Sequence, residues 1–74
     1  MFIRVTAIDD YGREKPILLN ADYIVSIAED RNLEITMILL TDGVDQIVKE
    51  TASEIEALLK RGGYYLNEKV TEQN

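Results

Sequence analysis

The densest group of side chains that could do chemistry is Asp9, Asp10 and Glu14, set around Gly12. Carboxylates beside a glycine turn suggest a site for a hard cation. A calcium loop needs oxygen ligands at alternate positions, a central glycine and a distant bidentate glutamate. The run Asp9-Asp10-Tyr11-Gly12-Arg13-Glu14 lacks that spacing, so a solvated hairpin tip is the expectation. Ser26 and Ser53 are the only serines, and a serine nucleophile needs a base beside it. The chain has no histidine and no cysteine. That removes the commonest general base and excludes thiolate metal sites and disulfides. A phosphate-cradling loop needs glycines between a strand and a helix, and Lys49-Glu50-Thr51-Ala52 has none. The residues predict no catalytic group, no metal and no cofactor, and therefore not an enzyme.

The elements that must position these side chains are short. Residues 2–8 alternate, with Ile3, Val5 and Ala7 on one side and Arg4 and Thr6 on the other, as in a half-buried strand. Residues 9–13 form a turn with Gly12 as the permissive position. A second strand is predicted at 17–19, with Pro16 at its start or on an edge because it lacks an amide hydrogen. Asn20 can cap a single helical turn or an Asx-turn. A third strand follows at 24–28, and residues 29–32 read as a polar turn.

The most determined stretch runs from Glu34 to Glu54. Asp42-Gly43 between two strand-like runs signals a two-residue type I′ turn, in which both central residues need φ > 0. That turn sets Thr41 opposite Val44, Leu39 opposite Gln46, Ile38 opposite Ile47 and Met37 opposite Val48. Directly opposed residues share a face. One face then carries Ile35, Met37, Leu39, Val44 and Val48, and the other carries Ile38, Leu40 and Ile47. Both faces are apolar, so both need cover over part of their length. A helix supplies one cover. Sheet curvature, the tail or a second subunit supplies the other.

The helix start is legible in Thr51-Ala52-Ser53-Glu54, which matches a capping box. Ile55, Leu58 and Leu59 form one narrow apolar stripe, and Gly62-Gly63 supplies a φ > 0 stop. Three such side chains contribute about 1.5–3 kcal/mol each on burial, enough to dock the helix and too little to make a core alone. Short strands with turns between them and a terminal helix predict an α+β fold. It is a small antiparallel meander of about five strands, open or closed toward a barrel, with one C-terminal helix. Residues 1–63 are expected to form this single domain, and 64–74 a partly ordered tail.

Seventy-four residues make a small core, which seldom supplies more than about 3–5 kcal/mol. With disulfides excluded, oligomerisation is the remaining stabiliser, and a homo-oligomer is expected. The two-faced hairpin and Tyr64-Tyr65, tyrosine being enriched at interfaces, give Ile38, Leu40, Ile47, Tyr64 and Tyr65 as the candidate interface. The net charge of −6 and the scattered basic residues argue against nucleic-acid binding, which draws on clustered Lys and Arg. The longest apolar run, Met37 to Leu40, is far below the ~20 residues of a membrane span, so no membrane insertion is expected. Arg4 interrupts the start before any leader-like apolar region, and the expected location is cytoplasmic.

Several runs together resemble the FlbD-like family of small flagellar and swarming-motility proteins. They are Val5-Thr6-Ala7-Ile8, the Gly12 turn, Leu19-Asn20, Ile24 to Ile27, Ile38-Leu39-Leu40-Thr41-Asp42-Gly43, and Val48-Lys49-Glu50-Thr51 leading into Glu54-Ile55. Family members tend to carry serine where Thr51 stands. The first turn is longer than the family's, and residues 64–74 have no counterpart. The resemblance implies a non-enzymatic accessory protein that supports motility by docking on a protein partner, and it carries over no catalytic residue. The alternative is a phage or mobile-element accessory protein that binds a host protein, with its acidic surface mimicking nucleic acid.

Overall fold

The structure, a computed structural model, describes residues 1–62. Strand β1 (Phe2–Ile8) and strand β2 (Glu14–Asn20) form a hairpin paired from Phe2↔Asn20 to Ile8↔Glu14. Asp9 folds the loop between them. Its Oδ1 accepts from the Tyr11 and Arg13 amides, both at 2.9 Å, and its Oδ2 takes the Arg13 Nε–H at 2.8 Å. Strand β2 is longer than its apolar pattern because the full length of β1 recruits the polar residues before Ile17.

Pro16 lies opposite Thr6. The Thr6 carbonyl accepts from the Lys49 amide at 2.9 Å, so the Thr6 backbone faces away from β2. In an antiparallel ladder the backbone of Pro16 then points outward. Strand β2 is an edge of the sheet, and there the missing N–H removes no ladder bond.

A single 3-10 turn, Ala21–Tyr23, leads to strand β3 (Ile24–Asp30). Asn20 caps that turn as its sequence predicts, with its side chain accepting from the Asp22 amide at 3.1 Å. Strands β4 (Ile35–Leu40) and β5 (Asp45–Val48) complete the sheet, and helix α1 (Ala52–Arg61) follows. Strand β3 runs two residues past its predicted end. The turn after it therefore falls later, where Glu34 takes φ +56° and Asp30 Oδ1 accepts from the Asn32 and Leu33 amides.

The strand order is β2-β1-β5-β4-β3. The fold is the α+β antiparallel arrangement expected, with one helix. Its two edge strands, β2 and β3, are joined by three residues. A 3-10 turn rises about 2 Å per residue, whereas the edges of a flat five-stranded sheet lie roughly 19 Å apart at ~4.8 Å per step. The sheet must therefore curl. It does not close: β2 and β3 remain as edges, which sets aside the barrel-like alternative.

The concave side holds the core. Ile3 and Val5 from β1, Leu19 from β2, Ala21, Ile38 from β4, Val48 from β5, and Ile55 and Leu59 from α1 form one buried cluster. Ile17, Ile24, Ile27, Leu40 and Leu58 pack around it. Helix α1 crosses this side and touches β1 and β3. Its capping box is complete: Thr51 Oγ1 accepts from the Glu54 amide at 3.1 Å, and Glu54 Oε1 accepts from the Thr51 amide at 2.8 Å. Glu29 adds a third contact and the second from a carboxylate, accepting from the Ala52 amide at 2.6 Å. Gly62 closes the helix at φ −84°, in the right-handed region. The predicted left-handed stop is thus not at Gly62, and Gly63 and the expected tail lie outside the described residues.

The β4–β5 register differs from the sequence reading by one residue. The pairs are Thr36↔Val48, Met37↔Ile47, Ile38↔Gln46 and Leu39↔Asp45. The loop holds three residues, Thr41, Asp42 and Gly43, not two. The Gly43 amide donates to the Leu40 carbonyl and the Leu40 amide donates to the Val44 carbonyl, both at 2.9 Å. Gly43 takes φ +86°, and Asp42 is not among the positive-φ residues. This is a type I turn closed by a left-handed glycine, the common three-residue hairpin loop. A one-residue slip moves side chains to the other face of a sheet, so the expected grouping of Ile38 with Ile47 does not hold.

Candidate interaction surface

The corrected register sorts the hairpin into two sides. Thr36, Ile38 and Val48 face the helix and are buried, Ile38 and Val48 completely. Ile35, Met37, Leu39 and Ile47 face outward and are half-buried. Ala7 pairs with Val48, which sets the next residues, Ile8 and Ile47, side by side on the outer face. Ala28 lies opposite Met37 from β3. An apolar band therefore crosses the convex side of the sheet, from Ile8 through Ile47 and Met37 to Ala28, with Leu39 and Ile35 beside it. Helix α1 is on the other side and covers none of it. At the far end of the same side Phe2 and Leu18 stand 59% and 61% exposed, with Arg4 opposite Leu18.

Of the expected interface residues, Ile47 lies in this outer band. Ile38 is inside the core, and Leu40 packs half-buried against it. Tyr64 and Tyr65 lie outside the described residues. The two-residue turn expected from sequence groups Met37, Leu39 and Ile35 with Val48, and no local pattern marks Phe2 or Leu18. The signal for the outer band was the Asp-Gly pair itself, had it been read as the end of a three-residue loop.

The chain matches no protein-family model, no curated protein and no solved structure.

The run Val48-Lys49-Glu50-Thr51 and Asn20 make contacts that hold the fold. Glu50 continues the β1–β5 ladder where β5 has ended. Its Oε1 accepts from the Thr6 amide and its Oε2 from the Thr6 hydroxyl, both at 2.8 Å. Burial alone would raise the Glu50 carboxyl. The two hydrogen bonds from Thr6 outweigh it and hold the group below its ordinary value, because they favour the charged form. Lys49 points to the outer face and reaches Glu14 on β2 at 3.4 Å, in an exposed ion pair. Such pairs contribute little, and this one serves to confirm which way Lys49 faces. Thr51 caps the helix and Asn20 caps the 3-10 turn.

The side chains that could do chemistry are dispersed or occupied. Both oxygens of Asp9 are taken by Arg13 and the turn amides. Those hydrogen bonds, the Arg13 amide foremost, hold its carboxyl below the ordinary value. Among the described residues no three His, Cys, Asp or Glu side chains gather as a metal site would require. Ser26 and Ser53 are both exposed and lie on separate elements. A groove beside the helix start is lined by Glu29, Glu34, Thr36, Lys49 and Ser53 among others, but Glu29 already occupies the first helix amide there. No helix of the described residues is long and apolar enough to cross a membrane.

Proposed function

We propose that this protein is a non-enzymatic interaction module whose copies associate and which docks on a protein partner through the convex face of its sheet. The observation that carries the reading is the outer apolar band of Ile8, Ile47, Met37, Leu39 and Ile35, which the chain's one described helix leaves bare. A contiguous apolar band that stays half-accessible on the sheet face away from the helix is the kind of surface that marks interaction sites. An antiparallel sheet with a solvated face would instead alternate to polar residues there. The resemblance to FlbD-like proteins supports placing the partner in the motility machinery, with a cytoplasmic location to match. The net charge of −6 supports a protein partner over a nucleic acid.

The test replaces the natural chain in its source cell by Met37→Lys or Ile47→Lys. Purified variants are melted by circular dichroism as a control for folding. Swarming is expected to be lost while each variant melts close to the parent. A crosslinked partner captured by the parent is expected to be missing with both variants. Normal swarming and undiminished capture by folded variants would set the outer face aside.

A further inference from the structure

The sheet is two hydrogen-bonded units joined by a thin seam. Strands β1 and β2 pair along their whole length, and β3, β4 and β5 pair with one another over most of theirs. Among the described residues the only ladder pair between the units is Ala7↔Val48. The Lys49 amide to the Thr6 carbonyl, the Glu50 carboxylate on Thr6 and the exposed Lys49–Glu14 ion pair add to the seam. The core, by contrast, is shared: Ile3, Val5 and Leu19 come from the first unit, and Ile38, Val48, Ile55 and Leu59 from the second. Neither unit buries its apolar face alone. The link between them is the three-residue turn Ala21–Tyr23, the shortest tie available between the two strands that lie farthest apart in the sheet order. A short hinge that forces a sheet to curl is the condition under which exchange between copies relieves the closed monomer.

We propose that copies of this chain associate by exchanging the β1–β2 hairpin, so that Ala7 of one copy pairs with Val48 of the other. This rests on the reading that copies associate and names how. The exchanged dimer keeps the seam contacts of the monomer and every core contact except those of Ala21. It opens the 3-10 turn, giving up the Asn20 cap on the Asp22 amide, the cover over Ala21, and the turn's ties to Met1 and to the Thr41 amide, which donates to the Tyr23 carbonyl. Once open, the turn extends to about 3.3–3.6 Å per residue, and the sheet no longer has to bring its edges together. The exposed side chains of Asp22 and Tyr23 leave room for that extension.

The absence of cysteine from the chain gives a clean test. Opposed residues of an antiparallel pair lie within the Cα separation that a disulfide needs. The double variant Ala7→Cys/Val48→Cys is oxidised after refolding at high concentration and run on a non-reducing gel. Disulfide-linked dimers are expected. Mixing the two single variants before refolding is expected to yield one crosslinked heterodimer. As a check independent of cysteine, a Gly-Ser-Gly insertion after Asp22 is expected to halve the mass seen by light scattering, because a longer link lets each chain close on itself. A dimeric mass with only intrachain disulfide, unaffected by the insertion, would overturn hairpin exchange and leave association through another face standing. A monomeric mass at all concentrations would overturn both.

Discussion

The two sides of the β4–β5 hairpin have nearly the same composition and opposite fates. On one side Thr36, Ile38 and Val48 are sealed beneath α1 and the curl of the sheet. On the other Ile35, Met37, Leu39 and Ile47 are only half-covered by their neighbours. Hydropathy along the strands does not separate them. What separates them is the helix, which Thr51 starts directly after β5 and which therefore packs on one side alone. A strand that is apolar on both sides reports that both sides are used, and the placement of the covering element decides which side is core.

The largest effect expected is on the sealed side. Ile38→Ala should cost about 2–5 kcal/mol, the range for truncating a large aliphatic core residue. Met37→Ala on the outer side should cost less than about 1.5 kcal/mol. Urea denaturation of the two variants measures the contrast directly, and equal losses would erase the distinction between the faces.

Glu50 tests the seam that aligns the two halves of both faces. Glu50→Ala strips the Thr6 amide and hydroxyl of their acceptor and should cost about 1–3 kcal/mol. The lower part of that range applies, because Glu50 is half-exposed and water can replace it. Amide exchange at Thr6 should quicken more than at Ile38. The same carboxylate gives a pH signature. Its folded pKa lies below the ordinary glutamate value of 4.5, so its contribution is complete above that pH and fades as pH falls through the folded value. Glu50→Gln should flatten the acid limb of stability in part, since Asp9 is shifted in the same direction. An unchanged limb would remove Glu50 from the account.

The loop sets which residues occupy which face, and Asp42→Gly probes it. A type I′ turn would gain from glycine there. In the three-residue loop Asp42 has no positive φ to relieve and accepts from the Val44 amide at 3.0 Å. The substitution should therefore cost roughly 0.5–1 kcal/mol, the penalty of a more flexible residue where none is required. A gain in stability would restore the two-residue turn and exchange the faces.

The smallest effect on stability is expected where the effect on binding is largest. Ile47→Lys should change the unfolding free energy by about 0.5 kcal/mol or less, because the lysine stem can cover the same neighbours while its ammonium reaches water. Loss of several kcal/mol would show that the outer band is core to the single chain.

Much of the fold could be read from particular residues. The alternation of Ile3, Val5 and Ala7 marked β1 and its inner side. Thr51 and Glu54 marked the start of α1, and Asn20 marked the 3-10 turn. Pro16 pointed to a strand start or an edge, and the edge is where it lies. These are local signals: a cap or a pleat is made by residues within a few positions of each other. The register of the hairpin was less legible because two-residue and three-residue loops both end on Asp-Gly-like pairs. Only the sign of φ at Asp42 tells them apart, and the outer band moved with it.

The sequence by itself determined the elements, the absence of histidine and cysteine chemistry, and the doubly apolar character of the β4–β5 hairpin. Tertiary structure decided the rest. The strand order brings β1 beside β5 across more than thirty-five residues of chain, and Glu50 meets Thr6 at a separation of 44. The curl follows from three residues joining opposite edges. None of these is encoded in a local pattern, because each depends on which distant surfaces meet when the helix closes over one face and leaves the other bare.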